Sequence, residues 1–186
     1  MVRFVIAALV LLPDTSPRDP DLNEPDSNFT FRKLPIHPGL VHEFEGWLSD
    51  GGPVTVAVDL SAAFDTNEYL NSVVRRDTAG RVTYEDDDLW FAYRWLGRLT
   101  TGVHVVQAWS GSATGTGVFT SLYFVRFEVD RSLEGRRILM RVVGFRSLGD
   151  RCSAHIGLDG SVVTAKVIPF SPADAAETIV IDTARR

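Results

Sequence analysis

Two stretches set the hydrophobic pattern of the chain. In residues 118–130, Tyr123, Val125, Phe127 and Val129 alternate with Leu122 and Phe124, and the second set turns charged at Arg126 and Glu128. In residues 136–145, Ile138, Met140 and Val142 alternate with Leu139, Val143 and Phe145, which share their face with Arg141. Successive strand side chains point to opposite faces, so a period of two predicts two strands. A strand apolar on both faces lies inside a layered structure, not on an open edge. Glu134 and Gly135 between them suit a tight connection, which predicts antiparallel pairing.

The same period recurs elsewhere. Residues 29–34 and 41–48 are short strand candidates around a turn at residues 35–39. Asp50-Gly51-Gly52-Pro53 predicts a turn, and Val54, Val56, Val58 and Leu60 then alternate with Thr55, Ala57 and Asp59 as in a half-buried strand. Residues 61–76 fit a short helix or a strand after a loop. Strands are predicted at residues 81–84, 89–99 and 103–109; in the last, Val103, Val105 and Trp109 share one face while His104, Val106 and Ala108 share the other. Residues 110–117 read as a mobile polar tip and residues 147–151 as a turn. Asp159-Gly160, between strands at residues 152–158 and 161–168, is the strongest hairpin signal, and residues 178–181 form a last short strand. Many short strands separated by turns, with no convincing amphipathic helix, predict an all-β fold. The expected architecture is a single-domain antiparallel β-sandwich, jelly-roll-like, with a closed barrel as the alternative.

The N-terminal part has a different texture. Arg3 is followed by nine uninterrupted apolar residues, 4–12. That run is too short for a membrane-spanning helix, so no stable membrane span is expected. It has the basic start and apolar length of a secretory signal, though no small-x-small cleavage site follows, and a first buried strand is the competing reading. Residues 14–28 are rich in Pro, Asp and Asn and nearly devoid of apolar side chains, as in a linker. The expected organisation is therefore a signal-like segment at 1–13, a linker at 14–28 and a β domain at 29–186. Export is the expected localisation, with the cytoplasm as the alternative.

Composition narrows the function classes. A chain of 186 residues suits one domain that needs no staples, since it buries roughly 70% of its unfolded surface. A formal net charge of −5 argues against nucleic acid as a partner, because such binders present a basic face. The single cysteine, Cys152, excludes an internal disulfide and a cysteine-based zinc cluster, and reads as a buried thiol.

Most candidate chemistry fails on spacing. Asp19, Asp21 and Asn23 have the one-three-five spacing of a calcium loop, but Glu24 stands where that loop needs glycine and Thr30 where it needs a bidentate glutamate. Asn28-Phe29-Thr30 fits the glycosylation tripeptide, which matters only in a eukaryotic secretory context. His42-Glu43 begins like a zinc-protease helix, but Gly46 occupies the place of the second histidine. No serine-hydrolase elbow occurs, and the glycine-rich residues 110–117 lead into a strand, not into the helix a phosphate cradle requires. The histidines His37, His42, His104 and His155 have no helical ligand spacing; His104 and His155 are expected to meet only if a sheet brings them together. Glu43, Glu45 and Asp59 are the candidate pair-forming carboxylates for a glycosidase-like hydrolase. No cofactor is expected.

The best surface candidate is aromatic. Trp90, Tyr93, Trp95 and Trp109 lie in two strands expected to pair through residues 100–102, with Arg94 and Arg98 nearby. Such rings give a stacking platform for a sugar or a peptide, or else fill the core, and the face they occupy decides. The expected function is a non-enzymatic binding or structural module for an unidentified protein or carbohydrate, acting through loops at 85–88 and 110–117. A small-molecule- or sugar-binding barrel lined by the same rings is the first alternative, and the hydrolase the second.

Overall fold

The protein is described by a computed structural model covering residues 28–46, 55–65, 74–85, 88–131 and 137–185. The signal-like segment, the calcium-like residues Asp19, Asp21 and Asn23, the turn at 50–53 and the Glu134-Gly135 connection lie outside the described residues.

Seven strands form one curled antiparallel sheet: β3 (Ala57–Asp59), β4 (Val74–Arg76), β5 (Arg81–Glu85), β6 (Leu89–Arg98), β7 (His104–Ser112), β8 (Phe119–Asp130) and β9 (Arg137–Asp150). Their order is β3-β9-β8-β7-β6-β5-β4, a meander from β4 to β9 with β3 beside β9. Among the described residues the sheet stays open, with β3 and β4 at its edges. A second sheet, β10 (Ser153–Asp159), β11 (Val162–Ile168) and β12 (Glu177–Asp182), is also an antiparallel meander. A two-stranded hairpin, β1 (Thr30–Phe31) with β2 (Leu34–Pro35), precedes the short helix α1 (Pro38–His42) and a 3-10 turn at Glu43–Glu45. A second short helix, α2 (Leu60–Asp65), follows β3. The fold is all-β and antiparallel, as the strand pattern predicts.

Two cores lie on the two faces of the large sheet. On one, Leu99, Val103, Val105, Leu122, Phe124 and Leu148 pack against Val163, Ala165 and Val167 of β11. Thr164, Lys166 and Ile168 alternate with these and face solvent, the half-buried pattern of a covering sheet. On the other face, Phe29, Phe31, Ile36, Leu40, Val41, Phe44 and Leu60 cover Phe91, Tyr93, Val106, Ala108, Tyr123, Val125, Ile138 and Met140. Each Val, Leu, Ile, Phe or Met side chain among them contributes about 1.5–3 kcal/mol on burial. Among the described residues no helix is long and apolar enough to cross a membrane.

Three departures from the strand pattern have physical causes. Residues 38–45 are helical, not extended. Pro38 opens the helix, where its missing N–H costs nothing, and the His37 Nδ1 accepts from the Gly39 N–H at 3.0 Å as the cap. Leu40, Val41 and Phe44 then turn together onto the sheet. Likewise β3 ends at Asp59, whose Oδ1 accepts from the Ala62 N–H at 3.1 Å, and Leu60 enters a helix instead of continuing the strand.

The third departure is in β9, which runs on through residues 147–150 instead of turning there. Its register against β8 shifts twice, between the pairs Phe124–Gly144 and Val125–Val142 and between Thr120–Gly149 and Ser121–Ser147. Val143 and Leu148 are thus extra residues, or β-bulges. A bulge bends its strand and moves later side chains to the opposite face. Phe145 therefore joins Ile138, Met140 and Val142 in one core, 5.1 Å from the Tyr123 ring, instead of sharing a face with Leu139 and Val143. The hairpin turn between β10 and β11 falls at Gly160-Ser161, one residue later than the Asp159-Gly160 pattern suggests, because Asp159 pairs with Val162. Gly160 has φ +57°, which glycine adopts without steric cost.

Candidate functional site

Alternation along β6 divides the aromatic candidates. Phe91, Tyr93 and Trp95 turn toward α1 and the β1–β2 hairpin, where Tyr93 is buried and its hydroxyl donates to the Ile36 carbonyl at 2.5 Å. Trp90, Ala92 and Arg94 take the opposite face. Cross-strand register then assembles a patch there. Arg81 of β5 stands opposite Arg94, Gln107 of β7 opposite Arg94, Trp109 opposite Ala92, and Thr120 of β8 opposite Trp109. Trp90 and Trp109 become diagonal neighbours on adjacent strands, within reach of each other's long partners.

The arginines lie on the rings. The Arg81 guanidinium carbon is 5.0 Å from the Trp109 ring centre and 5.6 Å from that of Trp90. Arg94 sits 5.9 Å from the Trp109 ring and donates from Nη2 to Gln107 Oε1 at 2.9 Å. Cation–π contacts of this kind contribute about 0.5–2 kcal/mol each, more as water is excluded. Gln107 and Thr120 are buried, while both indoles and both guanidinium groups are half-buried. Arg81 Nε, Arg94 Nε and Thr120 Oγ1 find no hydrogen-bond partner among the described residues. Neither Arg81 nor Arg94 has a carboxylate partner there; the nearby Glu85 faces Arg75, at 3.9 Å. An acidic protein thus carries a locally cationic, aromatic face.

Gly111 makes that face possible. A Cβ at this position would lie 2.7 Å from Trp90 Nε1 and 2.8 Å from the Gly117 carbonyl oxygen. The Trp90 indole therefore lies across the backbone of β7, under the returning chain. Residues 110–112, expected as part of a mobile tip, belong to β7. The chain beyond is tied by Ala113 N–H to the Asp88 carbonyl at 3.0 Å and by Val118 N–H to Asp150 Oδ1 at 2.8 Å. Gly111→Ala is expected to cost about 1–3 kcal/mol by overpacking. Urea unfolding should show the loss, and near-ultraviolet circular dichroism a displaced indole.

The other candidates are dispersed. His37 caps α1. His42 Nε2 lies 2.8 Å from Glu45 Oε2, and Ser110 Oγ donates to Glu45 Oε1 at 2.5 Å. Burial alone would raise the Glu45 carboxyl, but the hydrogen bonds from His42 and Ser110 and the His42 charge outweigh it, and the net shift is downward. In this chain of contacts the carboxylate is in the middle; nucleophilic catalysis needs the imidazole there. His104 lies buried on the large sheet and His155 is on an exposed position of the three-stranded sheet, so the two do not meet. Asp59 caps α2 and pairs with Arg137 at 3.6 Å, while Glu43 and Glu45 belong to the 3-10 turn, where His42 and Ser110 hold Glu45. Cys152 is a free thiol, half-buried beside the three-stranded sheet. Among the described residues no group of three or more His, Cys, Asp or Glu could hold a metal.

The face thus keeps Trp90, Arg94 and Trp109 together and separates them from Tyr93 and Trp95. Arg81, Gln107 and Thr120 complete it. Alternation from Trp109 points to Gln107, and from Leu122 to Thr120, but Arg81 enters only through the β5–β6 register. The class defined by these features is an all-β protein with an arginine–tryptophan sheet face. No protein-family model, characterised protein or solved structure matches this chain.

Proposed function

We propose that the protein is a non-enzymatic binding module that contacts an acidic carbohydrate through Arg81, Trp90, Arg94 and Trp109. One observation carries this: two guanidinium groups without a carboxylate partner among the described residues are held on indole rings, with Arg81 Nε, Arg94 Nε and Thr120 Oγ1 unpartnered beside them. A guanidinium pinned by stacking loses little freedom when it meets a carboxylate or sulfate, and it binds such groups bidentately. The indole surface that the guanidinium groups leave uncovered supplies apolar area for the sugar ring. Neutral sugars use the rings alone and forgo the charge.

The test compares sulfated and uronic-acid oligosaccharides with neutral glucans by titration calorimetry and tryptophan fluorescence. Acidic ligands are expected to bind, with affinity falling as salt is added. Trp109→Ala and Arg94→Met are each expected to weaken binding about tenfold or more, as central aromatic and arginine contacts do. Equal affinity for neutral and acidic ligands, or no binding to either by a folded protein, defeats the proposal.

A further inference from the structure

A cleft of about 270 Å³ opens on the opposite face of the large sheet, at the end near the β6–β7 turn. Arg98, Gly102, His104, Phe127, Glu128, Val129 and Ile138 line it. Its walls divide by chemistry. Phe127, Val129 and Ile138 give an apolar side. Arg98 gives a cation at the rim, its guanidinium 3.5 Å from where a Cβ on Gly102 would lie. Arg98 has no carboxylate partner among the described residues. Glu128, the carboxylate at this end, is held by Arg141 Nε at 2.8 Å.

His104 makes the cleft more than a gap. Its side chain is only 3% exposed, yet its Nδ1 has no hydrogen-bond partner among the described residues. The rings around it, Phe29 at 5.8 Å, Trp95 at 6.2 Å and Phe127 at 4.9 Å, supply no acceptor to that nitrogen. Burial and the Arg98 charge lower its pKa to about 4, so the imidazole is neutral at pH 7, with one nitrogen a donor and the other an acceptor. That nitrogen has almost no accessible surface, so His104 presents to the cleft the flank of a neutral ring.

We infer that this cleft binds a small organic monocarboxylate with an apolar body, the carboxylate meeting Arg98 at the rim and the body lying against His104, Phe127, Val129 and Ile138. At roughly 30 Å³ of liquid volume per water, the space corresponds to a ligand of about ten non-hydrogen atoms. A cation is repelled by Arg98, and a neutral alcohol of the same shape forfeits the charged contact. The site is on the other face from the arginine–tryptophan patch and does not depend on it.

Phenylacetate, 2-phenylethanol and phenethylamine probe this directly by titration calorimetry on the full chain. Phenylacetate is expected to bind saturably at one site, with 2-phenylethanol about tenfold weaker or worse and phenethylamine silent. Arg98→Met keeps the exposed stem and removes the charge; it is expected to weaken phenylacetate about tenfold. Val129→Trp, at the exposed rim, fills the cleft and is expected to abolish binding while the protein melts as before. The inference is overturned if wild-type protein shows no saturable binding. Equal affinity for the alcohol, or unchanged binding in both Arg98→Met and Val129→Trp, overturns it as well.

Discussion

Tyr123→Ala is expected to lower the free energy of unfolding by about 3–5 kcal/mol, whereas Tyr123→Phe leaves it unchanged or raises it slightly. Tyr123 is 1% exposed at the centre of β8, opposite Val106 and against the Phe145 ring. Truncation removes the ring and leaves a cavity between two layers that cannot collapse freely. The hydroxyl is a separate matter. It has no hydrogen-bond partner among the described residues. Burial, and then the charge of Glu45, push its pKa upward, so it stays neutral throughout the accessible range. Deleting it removes an uncompensated buried polar group. Tyr93, in the same core, supplies the contrast. Its hydroxyl donates to the Ile36 carbonyl, so Tyr93→Phe strands a buried acceptor and is expected to cost about 1–3 kcal/mol. Urea unfolding of the three variants separates these terms. A Tyr123→Phe loss as large as that of Tyr93→Phe would show that the Tyr123 hydroxyl is satisfied in the native protein.

Acidification from pH 7 to pH 5 is expected to cost about 2 kcal/mol for each of His37 and His104. Burial holds both near a pKa of about 4, with the Arg98 charge adding to the shift at His104, against 6.5 for the free side chain. Between these values the unfolded chain binds more protons than the folded one. Stability therefore rises with pH across this window. The cost is absent above about pH 6.5, grows as pH falls toward 4, and is complete below it. For His37 the cause is visible in its bond: protonation of Nδ1 removes the acceptor that caps α1 at Gly39. His37→Asn keeps a cap acceptor and cannot titrate, and His104→Phe cannot titrate either. Each is expected to flatten its share of the acid limb in urea unfolding at pH 7, 6 and 5. The depressed carboxyl of Glu45 contributes separately: its stabilisation is present above its ordinary pKa and is lost only as pH falls below it. Unchanged pH dependence in both histidine variants would mean that these imidazoles are hydrated in the native state.

The site and the fold were legible to different depths. Strands 89–99, 103–109 and 118–130 were visible because a strand's backbone imposes a period of two on its own residues, whatever lies beside it. The two faces of β8 followed for the same reason: Tyr123, Val125 and Phe127 in one core, Leu122 and Phe124 in the other. The helix at residues 38–42 was hidden because Leu40, Val41 and Phe44 fit either element over so short a span. The His37 cap and the sheet beneath decided between them.

Phe145 shows where a single strand's pattern stops being sufficient. Its face depends on Val143 being an unpaired residue in the ladder with β8, and a bulge is a property of two strands. The candidate binding face has the same origin. That the chain is all-β and antiparallel, with aromatic strands near residues 90 and 109, was determined by the local alternation of apolar and polar side chains. That Trp90, Arg94 and Trp109 stand together with Arg81, Gln107 and Thr120, while Tyr93 and Trp95 turn to the other face, was decided by tertiary structure. Register and layer contacts join residues distant in the chain, and no local period encodes which of them will meet.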